Sequence, residues 1–248
     1  MLNKMEEIAR NAGEIILKHY DNMSQMVVNI KSDNSPVTEA DIGSENVIVS
    51  MLKENFSYPI LTEETPSSYN KIKNWEKYWL VDPLDGTQDF IEKNDEFTVN
   101  IALIQNNQPI LGVVYAPALD LLYTGQINKG SYKNGKRIYN RSKRKKLIGA
   151  DSRHNSSDRT KAFLKKFNIN KVIRAGSALK LCYLAEGKID VYPRFNGTKE
   201  WDTAASHIIC KEAGCKIVDI ETNHELLYNK KQIRNNFFIG SRSDLSFL

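Results

Sequence analysis

Residues 79–90 read WLVDPLDGTQDF. An apolar strand that runs into two aspartates constrains this chain more than any other stretch, because charge at such a strand end is costly unless something compensates it. Pro83 stiffens the turn and Gly86 lets the backbone bend sharply, so Asp82 and Asp85 can point into one space. Two carboxylates that close repel, and one stays protonated unless a cation lies between them. Divalent magnesium, which takes hard oxygen ligands, is the natural cation. The turn leads into a helix start, whose free N–H groups could hold a phosphate. Carboxylates, metal and helix N-terminus together suggest phosphoryl transfer to water. On this motif alone an aspartate-capped turn remains an alternative.

The rest of the chain reads as layered α/β. Met5, Ile8, Ala12, Ile15 and Ile16 fall on one face of an amphipathic helix over 3–20. A loop is expected over 31–37, KSDNSPV. Thr38 reads as the N-cap of a helix that runs to about Asn55, with Glu39 and Asp41 in its first turn. YPILTEE, YWLVDP, FTVNIALIQ and PILGVVYAP then read as strands, with a hairpin over 97–116 turning at Asn106 and Asn107, and LLYTG follows as another. A boundary is expected in the Lys/Arg-rich stretch near 136–146. Beyond it, strands at KLIGADS, KVIRAG, IDVYPRF and CKIVDI alternate with helices over 157–167, 177–187 and 201–214. The hairpins of the first half argue against a pure Rossmann sheet.

Composition excludes several classes. No run approaches the ~20 apolar residues of a membrane span. The amphipathic start, with Glu6, Glu7 and Glu14, does not resemble a signal peptide, so a cytoplasmic location is expected. Cys182, Cys210 and Cys215 show no metal-site spacing and read as idle thiols in a reducing compartment. The four histidines, His19, His154, His207 and His224, show no triad or metal spacing and read as surface or ordinary helix positions. A net charge of +5 favours an anionic ligand without making the chain a nucleic-acid binder. The run Arg141, Lys143, Arg144, Lys145, Lys146 reads as a solvated linker, with a patch for an acidic lipid surface or polyanion as the alternative. It lacks the interleaved aromatics of a nucleic-acid surface.

Three acidic clusters remain: Glu63-Glu64 at one strand end, Asp82 and Asp85 at another, and Asp202 at a helix start. With SPVTEAD (35–41), LTEE (61–64), WLVDPLDGTQDF (79–90) and WDTAASHIICKEAG (201–214) in this order, the chain resembles the inositol monophosphatase superfamily of lithium-sensitive, magnesium-dependent phosphomonoesterases. Within it, NAGEIILKHYD, KSDNSPVTEADI, FTVNIALI, PILGVVYAPAL and YPRFNGTKEWDTAA are similar to the CysQ-type 3′(2′),5′-bisphosphate nucleotidases.

The resemblance implies an α/β/α/β/α sandwich of two subdomains, 1–140 and 141–248, with the site between them. It implies two or three magnesium ions, one on Glu63, Asp82 and the Leu84 carbonyl, another on Asp82, Asp85 and Asp202. Thr87 and Asp41 match the pair that helps activate water, and Glu63 counts as catalytic as well as a ligand. The implied reaction removes the 3′-phosphate of adenosine 3′,5′-bisphosphate to give AMP, with its sulfated precursor PAPS as a further substrate. Gly86, Thr87 and Gln88, beside Asp202, would face the scissile phosphate. Gly176, Ser177, Lys180 and Arg194 would face the rest of the nucleotide. Peripheral association with the inner membrane is implied for relatives of this kind.

Two departures bear on the nucleotide contacts. Asn155 stands where a histidine is usual, after Ser152-Arg153-His154, and Gln88-Asp89 replaces a Lys-Glu pair. The other readings are an inositol, sugar or NADP phosphatase, and a non-enzymatic polyanion-binding module. Inositol phosphatases carry a glutamate where Phe195 stands, and an aromatic there is expected to suit a nucleoside.

Overall fold

The structure, a computed structural model, describes residues 1–22, 28–30 and 36–247, with the backbone alone described for 28–30. The loop expected over 31–37 lies outside the described residues as far as 35, as does Ser35 of the SPVTEAD motif.

The first helix, α1 (Leu2–Asp21), buries Met5, Ile8, Ala9, Ala12 and Ile16 on one stripe and carries Lys18 and His19 in its last turn, complementing the helix dipole. A short antiparallel pair follows, β1 (Val28–Ile30) with β2 (Pro36–Thr38). Thr38 then caps α2 (Glu39–Asn55) in a capping box with Asp41.

Next come β3 (Ile60–Thr62), a short α3 (Tyr69–Ile72), β4 (Lys77–Asp85), α4 (Thr87–Ile91), β5 (Thr98–Gln105), β6 (Gln108–Ala116), β7 (Leu121–Gln126), β8 (Gly130–Lys133) and β9 (Lys136–Ile138). They form one seven-stranded sheet in sequence order. β3 and β4 run parallel, and every later pairing is antiparallel. The hairpin turn at Asn106 and Asn107 has both residues at positive φ, 50° and 62°. That is the two-residue geometry whose twist matches the strands. β9 occupies part of the stretch expected to be a boundary, so the sheet extends into it. Its Lys136 and Arg137 are exposed edge residues, which discourage pairing with another chain.

The second sheet contains β10 (Ile148–Ser152), β11 (Lys171–Ala175), β12 (Val191–Arg194), β13 (Cys215–Asp219) and β14 (Phe238–Arg242), in the order β11-β10-β12-β14-β13. Its helices are α5 (Asp158–Lys166), α6 (Leu179–Ala185) and α7 (Glu200–Glu212).

Three apolar clusters define five layers. One joins α1 and α2 to the outer face of the seven-stranded sheet. The largest joins that sheet's other face to α6, α7 and the second sheet. The third puts α5 against the far face of the second sheet. The α/β/α/β/α sandwich is therefore present.

The approach of α7 to β6 and β7 is close because two strand residues lack side chains. A Cβ on Gly112 would lie 2.4 Å from the Ala205 carbonyl oxygen, and one on Gly125 would lie 2.8 Å from Ile209 Cα. These contacts seat a helix of the second half on the sheet of the first.

The basic run is not simply solvated. Arg144 donates to Asp190 Oδ2 at 3.1 Å and also bonds the Gly187 carbonyl, and Arg242 donates to Asp190 Oδ1 at 3.0 Å. Asp190 is fully buried, and a buried carboxylate must be paired, so it draws one arginine of the run inward. No helix among the described residues is long and apolar enough to cross a membrane.

Candidate active site

β4 lies between β3 and β5 and is buried almost throughout. Its register against β5 shifts between Asp82 and Asp85. Pro83 sits in this irregularity, where its missing N–H costs no ladder bond. Ser44 Oγ donates to the Pro83 carbonyl at 2.7 Å, and the Leu84 amide donates to Asp82 Oδ1 at 3.2 Å. Gly86 then takes φ +92°, open to glycine at little cost, and α4 begins at once.

Parallel pairing brings the end of β3 beside the end of β4, and the Glu63 amide donates to the Val81 carbonyl at 3.2 Å. Glu63 and Asp82 thereby become neighbours. Asp202 reaches them from the first turn of α7, where its Oδ2 accepts the Lys199 amide at 2.8 Å. Ligand oxygens of Glu63, Asp82 and Asp202 all lie within 4.8 Å of one another. Asp85 lines the same cavity, and its Oδ2 accepts Asn100 Nδ2 at 3.2 Å.

Burial pushes the Asp82 carboxyl well above its ordinary range, and Glu63, Asp85, Asp202 and Asp41 push the same way. Asp202 is pushed up to about 8 by burial, then by Asp85 and Glu63. Asp85 is pushed up to about 6, mainly by burial, with Lys180 and Asn100 opposing. A cluster of oxygens this costly to ionise together is chemically matched to a hard divalent cation.

Asp41 is 1 % exposed. Its Oδ2 accepts from the Thr38 amide and from Thr38 Oγ1, both at 2.7 Å. Its Oδ1 accepts Thr87 Oγ1 at 3.1 Å. The two residues expected to act as a pair are thus hydrogen-bonded across 46 positions of sequence. Gly86, Thr87 and Gln88 line the cavity at the N-terminus of α4, although the Gln88 side chain turns outward to Glu92 Oε1 at 2.7 Å.

The cavity, about 250 Å³, extends from the carboxylates to the ends of β10, β11 and β12. Gly176, Ser177, Lys180 and Arg194 all line it. Lys180 Nζ donates to the carbonyls of Ala175 (3.0 Å) and Ser177 (2.7 Å). Arg194 bonds Ser152 Oγ and the carbonyls of Asn155 and Gly197. Two polar atoms here, Ser177 Oγ and Arg194 Nε, are buried without a hydrogen-bond partner. Ser177 also stands at φ +44°, a strained conformation for a residue with a side chain.

Two expectations need correction. Phe195 does not line the cavity. It is buried in the outer cluster, with ring centroids 5.6 Å from Phe163 and 6.2 Å from Phe237. Successive strand residues face opposite ways, and Arg194 takes the cavity side. His154 is not an ordinary surface residue, since its Nε2 lies 3.0 Å from Asp89 Oδ1 and it lines the cavity wall together with Asn155. His207 is a helix position, as expected, buried in α7 with Nδ1 2.9 Å from Tyr228 Oη and Nε2 3.0 Å from Glu225 Oε1. Burial lowers its pKa. The three cysteines are free and buried, as expected of idle thiols.

Sequence reasoning missed the links across the site. Glu96 Oε2 accepts Arg153 at 2.6 Å and the Gly176 amide at 2.8 Å, joining the two sheets beside the cavity. Lys199 Nζ lies 3.5 Å from Glu63 Oε1. Only chain proximity in three dimensions reveals either pairing.

Comparison with known proteins agrees with this geometry. Residues 1–242 match the model of the inositol monophosphatase family. The chain is 43% identical over 223 residues to the 3′(2′),5′-bisphosphate nucleotidase CysQ of Escherichia coli K12, covering 88% of this chain and 90% of that protein. It is 34% identical over 259 residues to CysQ of Haemophilus influenzae, covering 100% and 94%. The crystal structure of CysQ from Bacteroides thetaiotaomicron superposes with a TM-score of 0.88 at 35% identity, covering 98% of both chains. Fold, carboxylate cluster and sequence likeness lead to one assignment: this chain belongs to the inositol monophosphatase family.

Proposed function

We propose that the protein is a magnesium-dependent phosphomonoesterase that removes the 3′-phosphate of adenosine 3′,5′-bisphosphate, giving AMP and inorganic phosphate, with PAPS as a second substrate. The observation that carries this reading is the pairing of two anion-handling regions in one cavity. The carboxylates Glu63, Asp85 and Asp202 line this cavity together with Ser177 Oγ, Lys180 and Arg194, which stand beside them. A monophosphorylated polyol would use one region, whereas a bisphosphate uses both.

Glu63, Asp82 and the Leu84 carbonyl would hold one magnesium ion, and Asp82, Asp85 and Asp202 another, the family resemblance implying two or three in all. When bound, these ions supply charge neutralisation and a more acidic water. The chain's own residues do the rest. Thr87 Oγ1 orients the attacking water and passes its proton toward Asp41 Oδ1, the oxygen already hydrogen-bonded to it. Water oxygen bonds to phosphorus as the bond to the 3′-oxygen breaks, and the leaving oxygen takes a proton from solvent. The N–H groups at Gly86, Thr87 and Gln88 face the non-bridging oxygens. Ser177 Oγ and Arg194 Nε gain in the uncleaved phosphate the partner they otherwise lack.

The test is phosphate release with magnesium from adenosine 3′,5′-bisphosphate and from inositol 1-phosphate, with and without lithium. Preferential hydrolysis of the nucleotide, blocked by lithium, is expected. Preference for inositol phosphate would refute the substrate assignment. No release from either would refute the phosphatase reading for these substrates.

A further inference from the structure

The mouth of the carboxylate cluster carries a cation that the reaction above does not use. Lys199 immediately precedes α7. Its amide holds Asp202 Oδ2 at 2.8 Å, while its ammonium lies 3.5 Å from Glu63 Oε1. One residue thus touches two of the three clustered carboxylates, one through the backbone and one through the side chain. The two contacts differ in kind. The backbone contact is built into the helix cap. The side-chain contact is longer than a good N–H···O bond and is mainly electrostatic. The Lys199 side chain is 35% exposed, so its ammonium sits at the edge of the cavity. It lies 5.4 Å from the Trp201 ring centroid. Lys180 makes a contrast: it is buried and fixed by two carbonyls.

We propose that Lys199 is a built-in counter-ion for Glu63 that exchanges with the divalent metal, steadying the carboxylates when no metal is bound and weakening their hold on one. This rests on the metal-centre reading above. Carboxylates crowded together without a cation repel, and an ammonium beside Glu63 offsets part of that repulsion. A divalent ion on the same carboxylate meets the ammonium as a like charge. The ammonium must then move off or be tolerated nearby, and either outcome lowers the affinity. Movement outward is inexpensive, because the opening it lines leads to solvent, where the ammonium is well hydrated. Arg234 lines the same opening and adds a second positive charge, which makes Glu63 the better seat while the metal is absent.

The test is calorimetric titration of the full chain, stripped with chelator, using magnesium chloride and then manganese chloride. Lys199→Gln and Lys199→Met should bind both ions tighter by roughly threefold to tenfold, from loss of one nearby like charge. Lys199→Arg keeps the charge and should stay within about twofold of the parent. The neutral variants should also melt at lower temperature than the parent without metal and at the same temperature with saturating metal. A lysine that merely props up the helix cap would lower both. Unchanged or weaker affinity in both neutral variants, with native circular dichroism, overturns the counter-ion role alone. No uptake by the parent removes the metal-centre reading and this proposal with it.

Discussion

Withdrawing every divalent ion should make the stability of this protein fall as pH rises through neutrality. The sign follows from the carboxyls at the site. Asp202 is held up at about 8 and Asp85 at about 6, against an ordinary 3.8. A carboxyl whose pKa is higher in the fold binds its proton more tightly there than in the unfolded chain. Its ionisation therefore costs nothing well below 3.8, costs more as pH rises above that value, and reaches its full cost above the folded pKa. Between pH 5.5 and 8.5 this linkage gives about 3 kcal/mol for Asp202 and about 1 kcal/mol for Asp85. For a chain of this size, about 4 kcal/mol corresponds to a fall in Tm of about 8 to 16 °C. Thermal melts in chelator across that window, followed by circular dichroism, measure it directly. Saturating magnesium should flatten the dependence, because the ions neutralise the charges that cause it. Asp202→Asn should remove part of the slope without metal, the rest coming from Asp85 and from Asp82, whose carboxyl is also held up by burial. A Tm in chelator that is flat or rises from pH 5.5 to 8.5 would refute the electrostatic account, as would an Asp202→Asn protein whose slope is undiminished.

Other outcomes follow from single contacts. Thr87→Val keeps the shape but removes the hydrogen bond to Asp41, so kcat should fall by about a hundredfold or more while calorimetric metal affinity stays unchanged; a loss of metal binding instead would make Thr87 structural. Lys180→Met should raise KM for the nucleotide bisphosphate more than for a simple monophosphate, and equal effects would remove Lys180 from the second anion region. Gly176→Ala should cost about 1 to 3 kcal/mol in urea unfolding, because the added Cβ would lie 2.4 Å from Asp89 Oδ2 and 2.6 Å from the Glu96 carbonyl.

What could be read in the sequence was what neighbouring residues decide. The Pro and Gly of DPLDGT fix a turn whatever surrounds it. Thr38 and Asp41 are three apart and close their own capping box. The two-asparagine hairpin and the alternation of strands and helices are equally local. Contacts between distant positions were not legible. Lys199 meets Glu63, and Arg153 meets Glu96, only because two sheets share the helix layer between them. β8, β9 and β14 are short or lack a strong apolar run, and join their sheets through pairing that no single segment announces. Phe195 is a different kind of miss, since strand parity alone separates it from Arg194. Side chains of successive strand residues point to opposite faces, so with Arg194 turned to the cavity Phe195 is turned to the outer cluster.

The same local device occurs twice at the site. Asp41 and Asp202 are each the third residue of their helix, α2 and α7, and each accepts its own N-cap amide through Oδ2, at 2.7 and 2.8 Å. A carboxylate tied in this way is anchored to a rigid helix end and stabilised by the positive end of the helix dipole. Asp41 is left with Oδ1 for Thr87, and Asp202 brings a carboxylate oxygen within 4.8 Å of those of Glu63 and Asp82. These helices reach the site from opposite sides of the seven-stranded sheet, α2 from the outer layer and α7 from the layer between the sheets. β3 and β4 deliver Glu63 and Asp82 from within the sheet. Acidic groups from three layers therefore converge on one point, which only the assembled sandwich can define. That convergence buries the carboxyls and sets like charges side by side, which together raise their pKa values, so occupancy of the site and stability of the fold should be linked. A substitution that loosens α7, such as one at the buried His207–Tyr228 pair, should weaken metal binding without touching a carboxylate.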